Sequence, residues 1–304
     1  MREFTKKIVA TKNPNFLMGR MNSGITLVTM AAGSSSRYGT TKQLERFGAR
    51  NLTIAEYNML DAIEAGFTNF VFVVREQMAD IFHRRLSNFI PSGFSFSLAY
   101  QRSEKNLCHY CKRLKPWGTG HALLSAKFAL RNNFGLVNAD DLYGRDAIGK
   151  LADFLKTADA SSPTFANVGY RMEDTLSENG TVSRGVMNVD GDGNLINIVE
   201  HGNVSQQGGK IRSKDGTEIS NDALVSMNLW GFTTKIFEIL DKQWAVFTAN
   251  ISNPILDEFY LPSAVNTAMQ SGECAVKILR TTSKWHGITY SSDKYTLEKF
   301  LQNH

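Results

Sequence analysis

The 304-residue chain has only three cysteines, no long apolar run and, past its first residues, almost no net charge. Three cysteines cannot build the disulfide framework of a small secreted domain, which points to a reducing, cytoplasmic compartment. Its apolar stretches, such as 71–74 and 122–124, fall far short of the roughly 18 residues of a membrane span. No internal repeat is evident, and no composition break is sharp enough for a linker. The positive charge is confined to one end: Arg2, Lys6, Lys7, Lys12 and Arg20 against Glu3 give the first 24 residues +4 of the chain's +5. The remaining body therefore lacks the basic face that nucleic acid demands. The leader also lacks the apolar core of a secretory signal. Residues 1–24 read as a solvated basic extension, with an organellar transit segment as the other reading open. What is present, 42% hydrophobic and 21% charged residues, is ordinary for a soluble globular domain.

Periodicity orders the rest. Residues 25–31 read as a buried strand, and Thr53 with Glu56 three residues on forms a capping box that opens a helix ending at Gly66. Strands are expected at 70–74, 94–100 and 135–139, and helices at 77–88, 121–130 and 147–157. Such alternation implies right-handed βαβ crossovers and a mainly parallel sheet covered on both faces. The second half is richer in strand. Segments 181–189 and 195–199 flank the turn Asp190-Gly191-Asp192-Gly193-Asn194, a hairpin signal. A strand at 224–232, a helix at 234–243, late strands at 274–279 and 288–290 and a helix from Ser292 follow. The polar, Gly-rich stretch 200–222 reads as a surface loop.

Chemistry concentrates in three segments. Met30-Ala-Ala-Gly-Ser-Ser-Ser-Arg37-Tyr-Gly-Thr-Thr-Lys42-Gln directly follows the first strand, where open parallel sheets bind ligands beyond their carboxyl ends. Its small residues let backbone N–H groups approach phosphate oxygens as an anion nest, and Arg37 and Lys42 add two cations. It is neither a Walker P-loop nor a dinucleotide fingerprint, because the required Lys-Ser/Thr and the later glycines are missing. Gly118-Thr119-Gly120-His121-Ala122 opens a helix. Asp140-Asp141 ends a strand, as a metal-binding pair or a turn-capping one. Cys108-His109-Tyr110-Cys111 has zinc-knuckle spacing, but with Cys274 as the one further cysteine it reads as a surface insertion. His121 reads as helix-start packing.

Taken in order, these segments resemble the sugar-1-phosphate nucleotidyltransferases, which join a nucleoside triphosphate to a sugar 1-phosphate and release pyrophosphate. Gly33, Arg37 and Lys42 match their glycine-rich signature, 118–120 their base-contacting segment and Asp140 their magnesium ligand. Ser183-Arg184-Gly185-Val186, Ile198-Val199-Glu200 and Ser226-Met227-Asn228-Leu229-Trp230-Gly231-Phe232 resemble their sugar-binding motifs. The resemblance spans 25 to about 290. It implies a GT-A-like, Rossmann-like nucleotidyltransferase fold of class α/β. A mixed, mainly parallel sheet flanked by helices would carry a β-rich sugar-binding lobe. One domain would cover 25–304, with a nucleotide-binding half over about 25–150 and an acceptor-binding half over about 151–304.

The resemblance also implies roles. Arg37, Lys42 and Asp140 would be catalytic. Ala31, Ala32, Gly33, Ser34, Gln101, Gly118 and Thr119 would bind the nucleotide, and Gly185, Glu200, Asn228 and Thr289 the acceptor. Magnesium (Mg2+) would sit on Asp140 and Asp141. The small-molecule partners would be a nucleoside triphosphate, UTP foremost, and a sugar 1-phosphate, with no nucleic acid or membrane and a homo-oligomer allowed. Two departures stand out. His201 follows Glu200 where the family has lysine, and Gly287, in Trp285-His286-Gly287-Ile288-Thr289, stands where the second metal carboxylate would be. They leave open a cytidylyltransferase acting on choline phosphate or another phosphorylated small molecule, and a non-catalytic nucleotide-sugar-binding regulator. His286 is a further candidate metal ligand in place of that carboxylate.

Overall fold

Apolar runs and amphipathic segments alternate along the first half of the chain, and strands and helices follow them. The computed structural model describes residues 16–17, 24–33, 42–102, 113, 115–177, 179–288 and 292–302. Strand β1 (Phe16–Leu17) is followed by β2 (Thr26–Met30), α1 (Ile54–Ala65), β3 (Asn69–Val74), α2 (Ala79–Phe89) and β4 (Ser95–Tyr100). Next come α3 (Thr119–Ser125), β5 (Phe134–Asn138), β6 (Asp141–Leu142) and α4 (Arg145–Thr157). The second half comprises β7 (Thr164–Arg171), β8 (Val182–Val189), β9 (Leu195–Gln207), β10 (Lys210–Arg212), β11 (Glu218–Ile219) and β12 (Leu224–Phe232). Helices α5 (Ile236–Ala249) and α6 (Leu261–Gln270), strands β13 (Ala275–Arg280) and β14 (His286–Gly287) and helix α7 (Asp293–Leu301) close it.

Among the described residues the main sheet runs β1-β4-β3-β2-β5-β12-β8-β9-β10-β11, with β7 pairing β12 and β13. Strands β4, β3, β2 and β5 are mutually parallel, whereas β12 joins β5, β7 and β8 antiparallel. The parallel half is buried on both faces, as its unbroken apolar strands require. In β2, Leu27 packs with α1 and α4 while the adjacent Val28 packs with α3, α5 and α6, and both are fully buried. Helix α1 begins at the expected capping box: the Glu56 N–H donates to the Thr53 hydroxyl at 3.3 Å, and the Thr53 N–H donates to the Glu56 carboxylate at 2.8 Å. It stops at Gly66, which takes the left-handed conformation with φ 95°. No helix among the described residues is long and apolar enough to cross a membrane.

The sequence expectation fails in five places. The stretch 200–222 is not a loop: β9 continues to Gln207, and β10 and β11 extend the sheet behind it. Within 200–222 each of β9, β10 and β11 gives one buried apolar residue to the core, Val204, Ile211 and Ile219, too sparse a signal for a period-two pattern. Strand β7 lies between β12 and β13 in the sheet although Asn167 and Gly169 interrupt its apolar run. Helix α6 starts with Pro262 near its first position, where a missing N–H costs nothing. Finally, Phe16 and Leu17, inside the stretch read as an extension, pair with Ala99 and Leu98 on the edge of β4. The late strand lies at 286–287 rather than 288–290; residues 289 and 290 are outside the described set.

Candidate active site

The ends of β2 and β5 fix the first wall of the site. These strands are parallel neighbours with Met30 opposite Asn138, so 31–33 and Asp140-Asp141 leave the sheet side by side at its carboxyl edge. There Ala32, Gly33, Asp140 and Asp141 line a cleft of about 820 Å³. Two side chains hold the first loop: Arg75 Nε donates to the Ala32 carbonyl at 2.9 Å, and Gln43 Nε2 donates to the Gly33 carbonyl at 3.1 Å. The Ala31 N–H is spent on the Val73 carbonyl at 2.8 Å, and Ala31 is not part of the cleft wall. Ala32 and Gly33 do line it. Lys42 opens a short 3₁₀ turn, 42–44. Ser34, Arg37, the Lys42 side chain, Thr289 and the Cys108–Cys111 segment lie outside the described set.

The acidic pair is braced from below. Asn138 Nδ2 donates to the Asp141 carboxylate at 2.8 Å, and Asn58 Nδ2 donates to the Asp141 carbonyl at 2.7 Å. Asn58 Oδ1 in turn accepts from the Tyr143 N–H at 3.2 Å. The Tyr143 hydroxyl accepts from the Asn138 N–H and donates to the Met227 carbonyl, both at 3.1 Å. Burial, and then the Asp141 charge, push the Tyr143 phenol well above its ordinary range, so it remains a neutral donor. Neither Asn58 nor Tyr143 is marked in the sequence, because a polar residue on a helix reads as solvated and a tyrosine between a short strand and a helix carries no signal of its own. Both are fully buried.

The same side of the cleft is closed by Gln101, past the end of β4, and by 118–119 at the start of α3. Gln101 Nε2 donates to the Gly118 carbonyl at 2.9 Å; its Oε1 has no hydrogen-bond partner among the described residues. Gly118 adopts φ 96° and ψ 177°, and a Cβ there would meet the Phe259 carbonyl oxygen at 2.5 Å. This close approach forms a backbone clasp. The Phe259 N–H donates to the Trp117 carbonyl at 2.8 Å and the Gly120 N–H to the Phe259 carbonyl at 2.9 Å. The Leu261 N–H donates to the Thr119 hydroxyl at 2.9 Å. His121 packs on Trp244, with ring centroids 4.8 Å apart, as expected.

The opposite wall comes from the β-rich half. Gly185 on β8 faces Glu200 on β9, and a Cβ at 185 would stand 2.9 Å from the Glu200 carboxylate. Asn228, in the left-handed conformation with φ 60°, sits where the β12–β7 register shifts; such bulges re-aim side chains beside functional sites. Gly185, Glu200 and Asn228 all line the cleft. Strand β14 pairs Gly287 with Asp141. A Cβ at 287 would lie 2.9 Å from Asp141 Oδ1 and only 2.2 Å from the Trp285 indole, so the ring occupies the space that a carboxylate there would need. Arg184 was passed over in the sequence in favour of the glycine beside it. It is buried, and burial lowers its guanidinium to about 10 against the pull of Asp141, Glu200 and Asp293, so it stays charged at neutral pH. Among the described residues no three acids, histidines or cysteines cluster closely enough to hold a metal by themselves.

The family described as nucleotidyl transferase matches this sequence over residues 28–292. No curated protein matches it closely. Solved structures share the fold at low identity. The inositol-1-phosphate CTP transferase from T. maritima is 15% identical with a TM-score of 0.61, over 93% of this chain and 98% of that one. A UDP-glucose pyrophosphorylase complexed with UDP-glucose is 16% identical with a TM-score of 0.62, over 92% and 99%. The UDP-glucose pyrophosphorylase from Acinetobacter baumanii is 17% identical with a TM-score of 0.59, over 90% and 92%.

Proposed function

The chain belongs to the nucleotidyl transferase family, and on that premise we propose that it transfers a nucleoside monophosphate, from UTP foremost, to a sugar 1-phosphate with release of pyrophosphate. One observation carries the reading: the Asp140-Asp141 pair, the Gly118 and Gln101 wall and the Gly185, Glu200 and Asn228 wall all face a single cleft. A phosphate oxygen of the acceptor attacks the α-phosphorus in line, the bond to the β-phosphate oxygen breaks, and pyrophosphate carries away the electron pair. The attacking phosphate is already ionised at neutral pH, so no general base is needed, and catalysis reduces to positioning and charge neutralisation. Arg37 neutralises the leaving pyrophosphate and Lys42 reaches the α-phosphate. Gln101 Oε1 accepts an N–H from the base edge, uracil N3–H in UTP or the amine of cytosine in CTP. Glu200 and Asn228 hold the acceptor's hydroxyls.

The acidic pair suits magnesium. Both side chains offer hard oxygens, and Asn138 fixes one of them. Two carboxylates without a third ligand are what this ion accepts when phosphates and water complete its shell. Bound there, magnesium would neutralise the triphosphate's charge. A pyrophosphate-release assay of nucleoside triphosphates against sugar 1-phosphates and choline phosphate tests the proposal. UTP with a sugar 1-phosphate should give the highest kcat/KM, and Asp140→Asn should abolish turnover while leaving the melting temperature intact. Preference for CTP with choline phosphate would replace the acceptor and the base, and full activity of Asp140→Asn would remove Asp140 from the site.

A further inference from the structure

An anionic acceptor entering this cleft meets carboxylates: Asp140, Asp141 and Glu200 line the half where it would sit. Only two cations line the cleft among the described residues, Lys115 and Arg184. Lys115 adjoins Pro116 on the nucleotide side. Arg184 alone serves the acceptor side, and it has no direct ion pair, since Asp141, Glu200 and Asp293 attract it only from a distance. It is 7% exposed, yet no carboxylate among the described residues lies within ion-pair distance of it. Its partners are neutral oxygens. Nε donates to the Thr175 carbonyl at 3.1 Å and hydroxyl at 3.2 Å, Nη1 donates to the Ser183 carbonyl at 2.8 Å, and Nη2 donates to the Thr175 carbonyl. A guanidinium has five N–H donors. These contacts occupy Nε and one hydrogen on each Nη, which leaves one N–H on each Nη nitrogen, the fork that grips two oxygens of a phosphate.

The surroundings fit an anion seat. The guanidinium lies over the Trp285 ring, 4.9 Å from its centroid. Arg184 and Trp285 are the residues shared by the cleft and a second cavity of about 710 Å³ behind them. Burying a lone charge is unfavourable, and an incoming anion relieves it. We propose that Arg184 is the phosphate anchor for the acceptor, holding it at the Arg184–Trp285 partition between the two cavities. This rests on the transferase reading for the acceptor's identity, though not for the anion site itself.

The β-ladder supplies a test that a tether alone would not pass. Arg184 stands directly across from His201, and cross-strand partners project to the same face. A lysine at 201 therefore adds a cation on the face from which Arg184 projects. Binding of inorganic phosphate and of glucose 1-phosphate is measured by calorimetry on the full chain, alongside KM for acceptor and nucleotide. Arg184→Gln should weaken both ligands and raise the acceptor KM by about tenfold to hundredfold, the span of one charged hydrogen-bonded contact, with the nucleotide KM unchanged. Adding His201→Lys should recover much of that loss. If Arg184→Gln does not fold, Arg184→Lys carries the test, with an expected several-fold rise in acceptor KM. Unchanged acceptor binding in these variants, a loss that His201→Lys leaves unrepaired, or a wild type that binds neither ligand overturns the anchor. A wild type that binds glucose 1-phosphate through Arg184 but releases no pyrophosphate overturns the transferase reading and leaves the anchor standing.

Discussion

Gly118→Ala should be among the most damaging single-methyl additions in this chain, and its cost can be built from parts. At φ 96° and ψ 177° the residue occupies a region nearly exclusive to glycine, where a side chain costs about 1–3 kcal/mol. The added Cβ would also meet Phe259 backbone atoms at 2.5–2.9 Å, and backbone cannot step aside as a side chain can. Separating the strands of the clasp breaks the two backbone hydrogen bonds at Phe259, each with a net value of about 0.5–1.5 kcal/mol. The sum, about 2–6 kcal/mol, is a large share of the roughly 5–15 kcal/mol that holds a domain folded. Gly93→Ala provides the control: φ there is 99°, but no atom lies within 4 Å of the new Cβ, so it reports the backbone penalty alone. Urea unfolding followed by tryptophan fluorescence should rank wild type, then Gly93→Ala, then Gly118→Ala. The nucleotide KM should rise only in Gly118→Ala, because the Gly118 carbonyl orients Gln101. Equal stability of the two variants would refute the clasp.

Arg37→Ala and Lys42→Ala should each lower turnover by about two to three orders of magnitude, as for loss of one preorganised donor, with urea midpoints unchanged; wild-type turnover in both would leave the loop no role in transfer. Deleting residues 1–20 removes Phe16 and Leu17 from the edge of β4 and should cost about 1–3 kcal/mol, the value of about two hydrogen bonds. This would be read as a lower melting temperature at unchanged kcat, and an unaltered melt would make that strand energetically idle. Burial pushes the Cys274 thiol from 9.0 up to about 11. The folded chain thus keeps a proton that the unfolded chain loses, and stability should fall as pH rises between those values. Cys274→Val should flatten that part of the pH–stability curve, and an identical slope in the variant would discount the thiol.

Much of the frame was legible because local chemistry and tertiary role coincide. Thr53, Glu56 and Gly66 delimit α1 by capping alone, and β12 begins and ends where its apolar run does, at Leu224 and Phe232. The 190–194 turn closes as its glycines and aspartates suggest, with the Asp190 N–H donating to the Asn194 carbonyl at 2.9 Å. What escaped was decided at a distance. Strand β7 gains its place from two flanking strands rather than its own pattern, and Asn167 within it is wholly buried. In the site the glycines and acids announced themselves, whereas their supports did not. Asn58, Tyr143 and Arg75 matter through partners far away in sequence, and Arg184 shows its buried, unpaired charge only once β8 is laid against Trp285.

The indole lying over Gly287 couples positions that are far apart in the sequence. An aspartate introduced at 287 would collide with the Trp285 ring, 2.2 Å from its first side-chain carbon, and the Arg184 guanidinium also lies over that ring, 4.9 Å from its centroid. An acid at 287 requires that ring to be displaced or replaced, and either change costs the arginine its platform. Three positions on two distant stretches of chain are therefore bound into one epistatic lock. A single Gly287→Asp change therefore meets a steric barrier set by Trp285 and, through it, by Arg184, and the carboxylates next to β14 that line the cleft are those of Asp140 and Asp141.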